Sequence, residues 1–279
     1  MVLEQIFKAS WLEKRPWHAF LLGFIYAIVG IISARLIFGS NPGMMTVAFT
    51  SILLIPSLNR LLQDEENVEI RENKLNMKVL FKDHKDIFEI YIFLFLGVLL
   101  TYSVVALVLP YQSMLHMFQP QLGVIDVVGQ ATGSGTVTSI ILNNLLVMVV
   151  CFILSLVYGA GGILFITWNA SVWGVAFSYF VKQAAFFQDG NPFLLFVCLF
   201  IPFFPHMITE GFAYFSAAIV GGVTSKAVLR EDMFSEKFHH IITDAWILMA
   251  IAFVIVILAA IIEVYFFPQM SNMIMGFCG

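Results

Sequence analysis

FLLFVCLFIPFFPHMITEGFAYFSAAIVGGV, residues 193–223, runs without a lysine or an arginine and holds one histidine, His206, and one acid, Glu210. At about 1.5 Å per residue a straight helix of this length would reach roughly 46 Å, well beyond the ~30 Å hydrocarbon core of a bilayer. Pro202 and Pro205 each remove a backbone donor from its middle, so the reading is a Pro-broken helix near 193–223, or two half-helices. An ionisable side chain at bilayer depth costs roughly 2.5 to 3.5 kcal/mol on insertion scales and therefore faces protein or a water-filled cavity. His206 and Glu210 are thus the first place to look for whatever the chain does beyond spanning.

The rest of the chain belongs to the same class. Hydrophobic residues make up 60% and charged residues 11%, against about 25% charged in a soluble domain. Apolar runs of this length also exclude an outer-membrane barrel, whose strands alternate in hydrophobicity. Further runs lie at Trp17–Phe38, Pro42–Leu58, Phe88–Leu109, Val137–Tyr158, Gly162–Val181 and Ala245–Phe267. The expectation is an all-α, polytopic transmembrane helical bundle of about seven spans, six to eight, because the short second run with Pro56 near its end also fits a re-entrant segment. Residues 1–87 read as an interfacial helix, two membrane segments and a charged cytoplasmic segment, and residues 88–279 as the transmembrane core. Lys8, Lys14 and Arg15 precede a full-length span with no small-residue cleavage site behind it, so the first helix reads as a retained anchor.

Basic residues near span ends set orientation. Lys8, Lys14 and Arg15 precede the first span; Arg60, Arg71, Lys74, Lys78, Lys82 and Lys85 lie between the second and third; Lys226, Arg230 and Lys237 lie between the sixth and seventh; and residues 110–136 contain no Lys or Arg. This places a multi-pass protein in the cell membrane with its N-terminus cytoplasmic and its C-terminus external. Arg35 and Lys182 are exceptions at span ends, where long stems snorkel.

Several features invite functional readings and have blander ones. The run GQATGSGT, Gly129–Thr136, lacks the preceding strand and the GK[ST] ending of a phosphate loop and reads as a flexible turn. Cys151, Cys198 and Cys278 show no zinc or disulfide spacing, and the first two read as small core residues. A net charge of −4 carries no nucleic-acid signature. The lipid bilayer is the implied partner, with the segment Arg60–Ile87 as a surface element or docking site for other membrane or envelope proteins. Close helix packing in lipid needs small residues; Ala213, Ala217 and Gly221 form one stripe, and Gly23, Ala27, Gly30 and Ala34 another, available within the subunit or in a homodimer.

Polar residues inside the C-terminal spans include Asn143 and Asn144 on the fourth, Thr167, Asn169 and Ser171 on the fifth, and His206, Thr209 and Glu210 on the sixth. Among them the candidate cluster is Asn143, Asn144, Asn169, His206 and Glu210. Helical spacing puts the last two on one face, where they can share a hydrogen bond or a proton. Three readings compete: a structural lock, a pathway for an ion, proton or small solute, and a metal or hydrolase site. One His and one carboxylate fall short of a catalytic zinc, and no HExxH, Ser/His or paired-Asp set is present, so neither an enzyme nor a cofactor is expected. Glu263, near the end of the last run, reads most simply as interfacial.

The order Asn143-Asn144, the turn Gly159–Gly162, Asn169 with Gly174 after it, and PHMITEGFAYFSAAIVGG at Pro205–Gly222 resembles the stage II sporulation protein M family of integral membrane proteins. The resemblance covers roughly residues 137–230; Asn169 is followed by Ala170 where the family pattern has Gly. It implies a non-enzymatic membrane protein with His206 and Glu210 at its centre. Sporulation members hold cell-wall-degrading partners at the septal membrane during engulfment, but relatives occur in organisms that make no spores. The function expected is therefore an integral membrane scaffold or accessory subunit organising a membrane-remodelling or cell-envelope complex. The alternative is a transporter or channel using the polar cluster.

Overall fold

The computed structural model describes residue 12 and residues 15–39, 41–69, 85–124, 137–188 and 191–266, with the side chains of 63–69 and 186–188 left aside. Most of the N-terminal stretch before Arg15, the greater part of the charged segment, the run Gly129–Thr136 and Cys278 lie outside the described residues. The long elements are helices: α1 His18–Phe38, α2 Gly43–Glu69, α3 Lys85–Val108, α4 Tyr111–Met117, α5 Val137–Tyr158, α6 Ile163–Gln188, α7 Pro192–Arg230 and α8 Glu236–Ile261, which passes into a π-helical turn, Ile262–Phe266. Seven helices among the described residues are long and apolar enough to cross a membrane. The chain is an all-α polytopic bundle, as its composition required.

Two local expectations are corrected. α2 runs unbroken through Pro56 and gives a candidate span of Gly43–Leu62, longer than the short run Pro42–Leu58 and a single helix long and apolar enough to cross, not a re-entrant hairpin. α7 is one helix of 39 residues through Pro202 and Pro205, not two half-helices. A proline's fixed φ is compatible with a helix; what it removes is one N–H each. Thr209 Oγ1 donates to the carbonyl of Pro205 at 2.6 Å. Around the prolines, Phe200 and Phe203 of α7 lie 5.5 and 5.4 Å from Phe177 of α6, ring centre to ring centre, bracing the segment where its backbone ladder is weakest.

α7 is the central helix, packed against α8, α5, α6, α2 and α3. Every residue from Ala213 to Val223 is buried, which is possible because its small side chains let neighbours approach from all sides. A Cβ on Gly221 would stand 2.5 Å from the carbonyl oxygen of Phe152 on α5. The first stripe of small residues is spent in the same way inside the subunit: Gly23, Ala27, Gly30 and Ala34 are all buried, with Gly23 against the backbone of Leu94 on α3 and Gly30 against Thr50 on α2.

Hydrogen bonds tie helices together where lipid supplies no hydrophobic force between them. Thr101 Oγ1 donates to the carbonyl of Phe24 at 3.2 Å, Tyr102 Oη to Thr46 Oγ1 at 2.9 Å, and Ser178 Oγ to the carbonyl of Ser103 at 2.9 Å. The segment after α3, marked in the sequence by its lack of Lys and Arg, begins with α4 and continues helically over 119–124, with Met114, Met117, Phe118 and Gln121 buried. Gln121 Nε2 donates to the carbonyl of Gly43 at 3.2 Å. Lys182 and Arg35, the two cations out of place in the charge pattern, donate to the carbonyls of Leu109 and Gly39 at helix ends.

The turn between α5 and α6 needs its glycines. Gly159 has φ 66°, a region that L residues seldom adopt. The amides after it are satisfied: Ala160 N donates to Asn59 Oδ1 at 3.0 Å and Gly162 N to Ser155 Oγ at 3.0 Å. Cys151 is a free, buried core residue. Cys198 is buried in the core as read but is also disulfide-bonded, which corrects the reading that the cysteines show no disulfide spacing.

Candidate functional site: a histidine between two glutamates

The site is built where α7 crosses the end of α8. The i, i+4 spacing of the sequence sets His206 and Glu210 on one face of α7, with Nε2 and Oε2 3.5 Å apart. α8 supplies the remainder. The carbonyl oxygen of Ala259 lies 3.3 Å from His206 Nδ1, and Oε2 of Glu263, on the π-helical turn, lies 3.6 Å from Nε2. The wider turn of a π-helix re-aims side chains at the end of an α-helix and recurs at functional sites. Here it carries Glu263 to a ring that sits on another helix.

Burial makes these contacts matter. His206 is 1% and Glu210 6% exposed, while the Glu263 side chain is 20% exposed. The imidazole is walled by Trp173 of α6, edge-on with ring centres 5.8 Å apart, and by Phe203, at 6.2 Å. One turn further along α7, on the same face as Glu210, Tyr214 is buried.

Hydrogen-bond chemistry assigns one ring proton. A carbonyl oxygen only accepts, so Nδ1 facing Ala259 carries hydrogen and donates. Nε2 then faces two carboxyl groups at 3.5 and 3.6 Å, longer than the 2.7–3.2 Å of a tight N–H···O bond and within ion-pair reach. Either Nε2 is protonated and shared between them, or one carboxyl is protonated and points at it. Among the described residues no group of three His, Cys, Asp or Glu is arranged to hold a metal ion; both carboxylates approach the ring nitrogen itself, the place a proton would occupy.

The other polar residues singled out from sequence stand apart. Asn143 is exposed on α5 and its Nδ2 donates to Asn144 Oδ1 at 3.3 Å; Asn144 is buried with its own Nδ2 unpartnered. Asn169 Nδ2 donates back to the carbonyl of Phe165 at 2.8 Å, within α6. None of the three bonds His206 or Glu210. Glu263 is the member that sequence reading set aside, and its signal was there: an acid in an otherwise apolar run.

A family model described as stage II sporulation protein M matches residues 90–268. The chain belongs to that family. The match is wider than the stretch 137–230 in which the motifs were seen; it takes in most of α3 and extends past the π-helical turn. His206, Glu210, Tyr214, Ala259 and Glu263 therefore all fall inside the stage II sporulation protein M region, whereas α1 and α2 precede it. No curated protein and no solved structure matches the chain.

Proposed function

We propose that this member of the stage II sporulation protein M family is a non-enzymatic scaffold or accessory subunit that organises a membrane-remodelling or cell-envelope complex. The observation that carries this reading is how the buried polar groups are used: both ring nitrogens of His206 are engaged with α8. That fixes the packing of the central helix. The proposed orientation, N-terminus cytoplasmic and C-terminus external, puts the charged segment after α2 on the cytoplasmic side, where it can dock partners. Self-association belongs to the same proposal and would use another face, because α2 and α3 cover the Gly23–Ala34 stripe.

The test is purification from native membranes in mild detergent after brief crosslinking, with co-purifying proteins quantified by mass spectrometry. Stoichiometric partners that disappear when residues 70–84 are replaced by a neutral Gly/Ser linker support the scaffold. A chain recovered only with itself overturns it.

A transporter or channel for an ion, proton or small solute is the second reading, favoured by the partial exposure of Glu263 at one end of the buried cluster. It expects Glu210→Gln to abolish flux in a folded protein, whereas the scaffold tolerates that exchange.

A further inference from the structure

We infer that His206, Glu210 and Glu263 form a one-sided intramembrane proton-binding site, loaded from the Glu263 end and closed at the Glu210 end. The inference rests on the geometry of the site and stands apart from the scaffold reading; its test reads the site, and partner capture reads the scaffold.

Proton bookkeeping comes first. With Nδ1–H committed to the carbonyl of Ala259, the exchangeable positions are Nε2 and the two carboxyl groups 3.5 and 3.6 Å from it. The electroneutral form holds two protons on these three groups, for example an imidazolium, one carboxylate and one carboxylic acid. Losing one proton leaves a net charge of −1 beside Trp173 and Phe203 in the bundle, and uncompensated charge is what buried sites resist. The site therefore has two states differing by one proton, which Nε2 of His206 holds in the electroneutral form and exchanges with water through the carboxyl of Glu263.

Access comes from one direction. Glu263 is 20% exposed, against 2% for the side chain of His206 and 8% for that of Glu210. From Glu263 the groups run inward as Nε2 of His206 and the carboxyl of Glu210. Beyond Glu210 the same side of α7 holds the buried Tyr214 and then Ala217, Ala218, Gly221 and Gly222, the last four of which cannot carry a proton; Cys151 of the adjoining α5 is itself fully buried. Among the described residues, the titratable groups that face His206 are Glu210 on its own helix and Glu263 after α8; α6 contributes the indole of Trp173, and α7 itself the ring of Phe203. The line is a dead end, which suits a site that binds a proton and not one that passes it through the membrane.

Trp173 supplies the reporter, since an imidazolium quenches an adjacent indole more strongly than a neutral imidazole does. The measurement is tryptophan emission of the full chain in nanodiscs against buffer pH, with the Trp173→Phe curve subtracted. The expected result is a pH-dependent quench that is lost in His206→Gln and displaced by about one pH unit or more in Glu263→Gln, the scale on which a neighbouring charge acts. Glu263→Asp provides the same displacement test should the Gln variant fail to fold. A flat curve in the wild type, or a curve that neither Glu263 variant displaces, overturns the site. In sealed proteoliposomes carrying a trapped pH dye, the wild type should leave the dye unchanged under an imposed pH gradient; a proton flux lost in His206→Gln would overturn the one-sided closure.

Discussion

Nε2 of His206 stands 3.6 Å from Oε2 of Glu263, across the crossing of α7 and the π-helical turn after α8. α7 and α8, consecutive in the chain, are thus joined at the ends remote from their connection by groups that neither could bury alone. Removing the ring should cost more than removing one acid. His206→Ala leaves Glu210 and Glu263 facing a void and each other, and breaking a buried pair costs about 3 to 5 kcal/mol. Glu263→Gln keeps a hydrogen-bonding group of the same shape and should cost about 1 to 2 kcal/mol. Thermal unfolding of the purified chain in mild detergent checks the order; a His206→Ala midpoint at or above that of Glu263→Gln would remove the ring from the centre of the lock.

Tyr102→Phe deletes the hydroxyl that donates to Thr46 but leaves Thr46 Oγ1 bonded to the carbonyl of Gly43 at 2.7 Å. Interhelical hydrogen bonds in membranes average about 0.6 kcal/mol and reach about 1.7, so the loss should stay within that range. A drop of several kcal/mol in the same melt would mean that the hydroxyl holds more than this one bond.

Gly221→Ala places a methyl group 2.5 Å from the carbonyl oxygen of Phe152, and backbone cannot swing aside. Overpacking of this kind costs about 1 to 3 kcal/mol. Gly123→Ala is the matched control, since a Cβ there meets nothing within 4 Å. Equal melting of the two variants would show that α5 and α7 are less closely packed than described.

Orientation has its own check. Phe234, 87% exposed between α7 and α8, belongs on the cytoplasmic side in the proposed topology, and the exposed Gln112 on α4 on the outer side. An impermeant maleimide should label Gln112→Cys in intact cells and Phe234→Cys only after permeabilisation; the reverse pattern would invert the topology.

The bundle was legible in the sequence because a ~30 Å apolar barrier imposes run lengths that composition alone reveals. The pair His206 and Glu210 was legible for a similar reason, since helical spacing is local. Glu263 was not: its meeting with His206 depends on where α7 crosses α8 and on a π-helical turn, neither of which leaves a spacing to read. Pro202 and Pro205 misled in the opposite sense. They mark where a helix loses donors, yet the helix continues through them, braced by the aromatic contacts of Phe177 with Phe200 and Phe203 that depend on a second helix. Asn144 and Asn169 looked like companions of the site on polarity alone, but the faces they occupy on α5 and α6 direct their hydrogen bonds elsewhere.

The enclosed position of α7 also bears on how the chain is made. α1, α2 and α3 can pair as soon as they leave the ribosome, through Gly23 against Leu94 and Gly30 against Thr50. Yet Phe88 of α3 stacks on Phe212 at 4.3 Å, and Phe95 meets Phe215 at 5.7 Å, so part of the first-made half waits for a helix that is synthesised sixth of the seven spans. Until Pro192–Arg230 enters the bilayer, that surface has only lipid or an insertion factor to cover it, and a nascent chain arrested before residue 192 should be the form that quality-control proteases recognise.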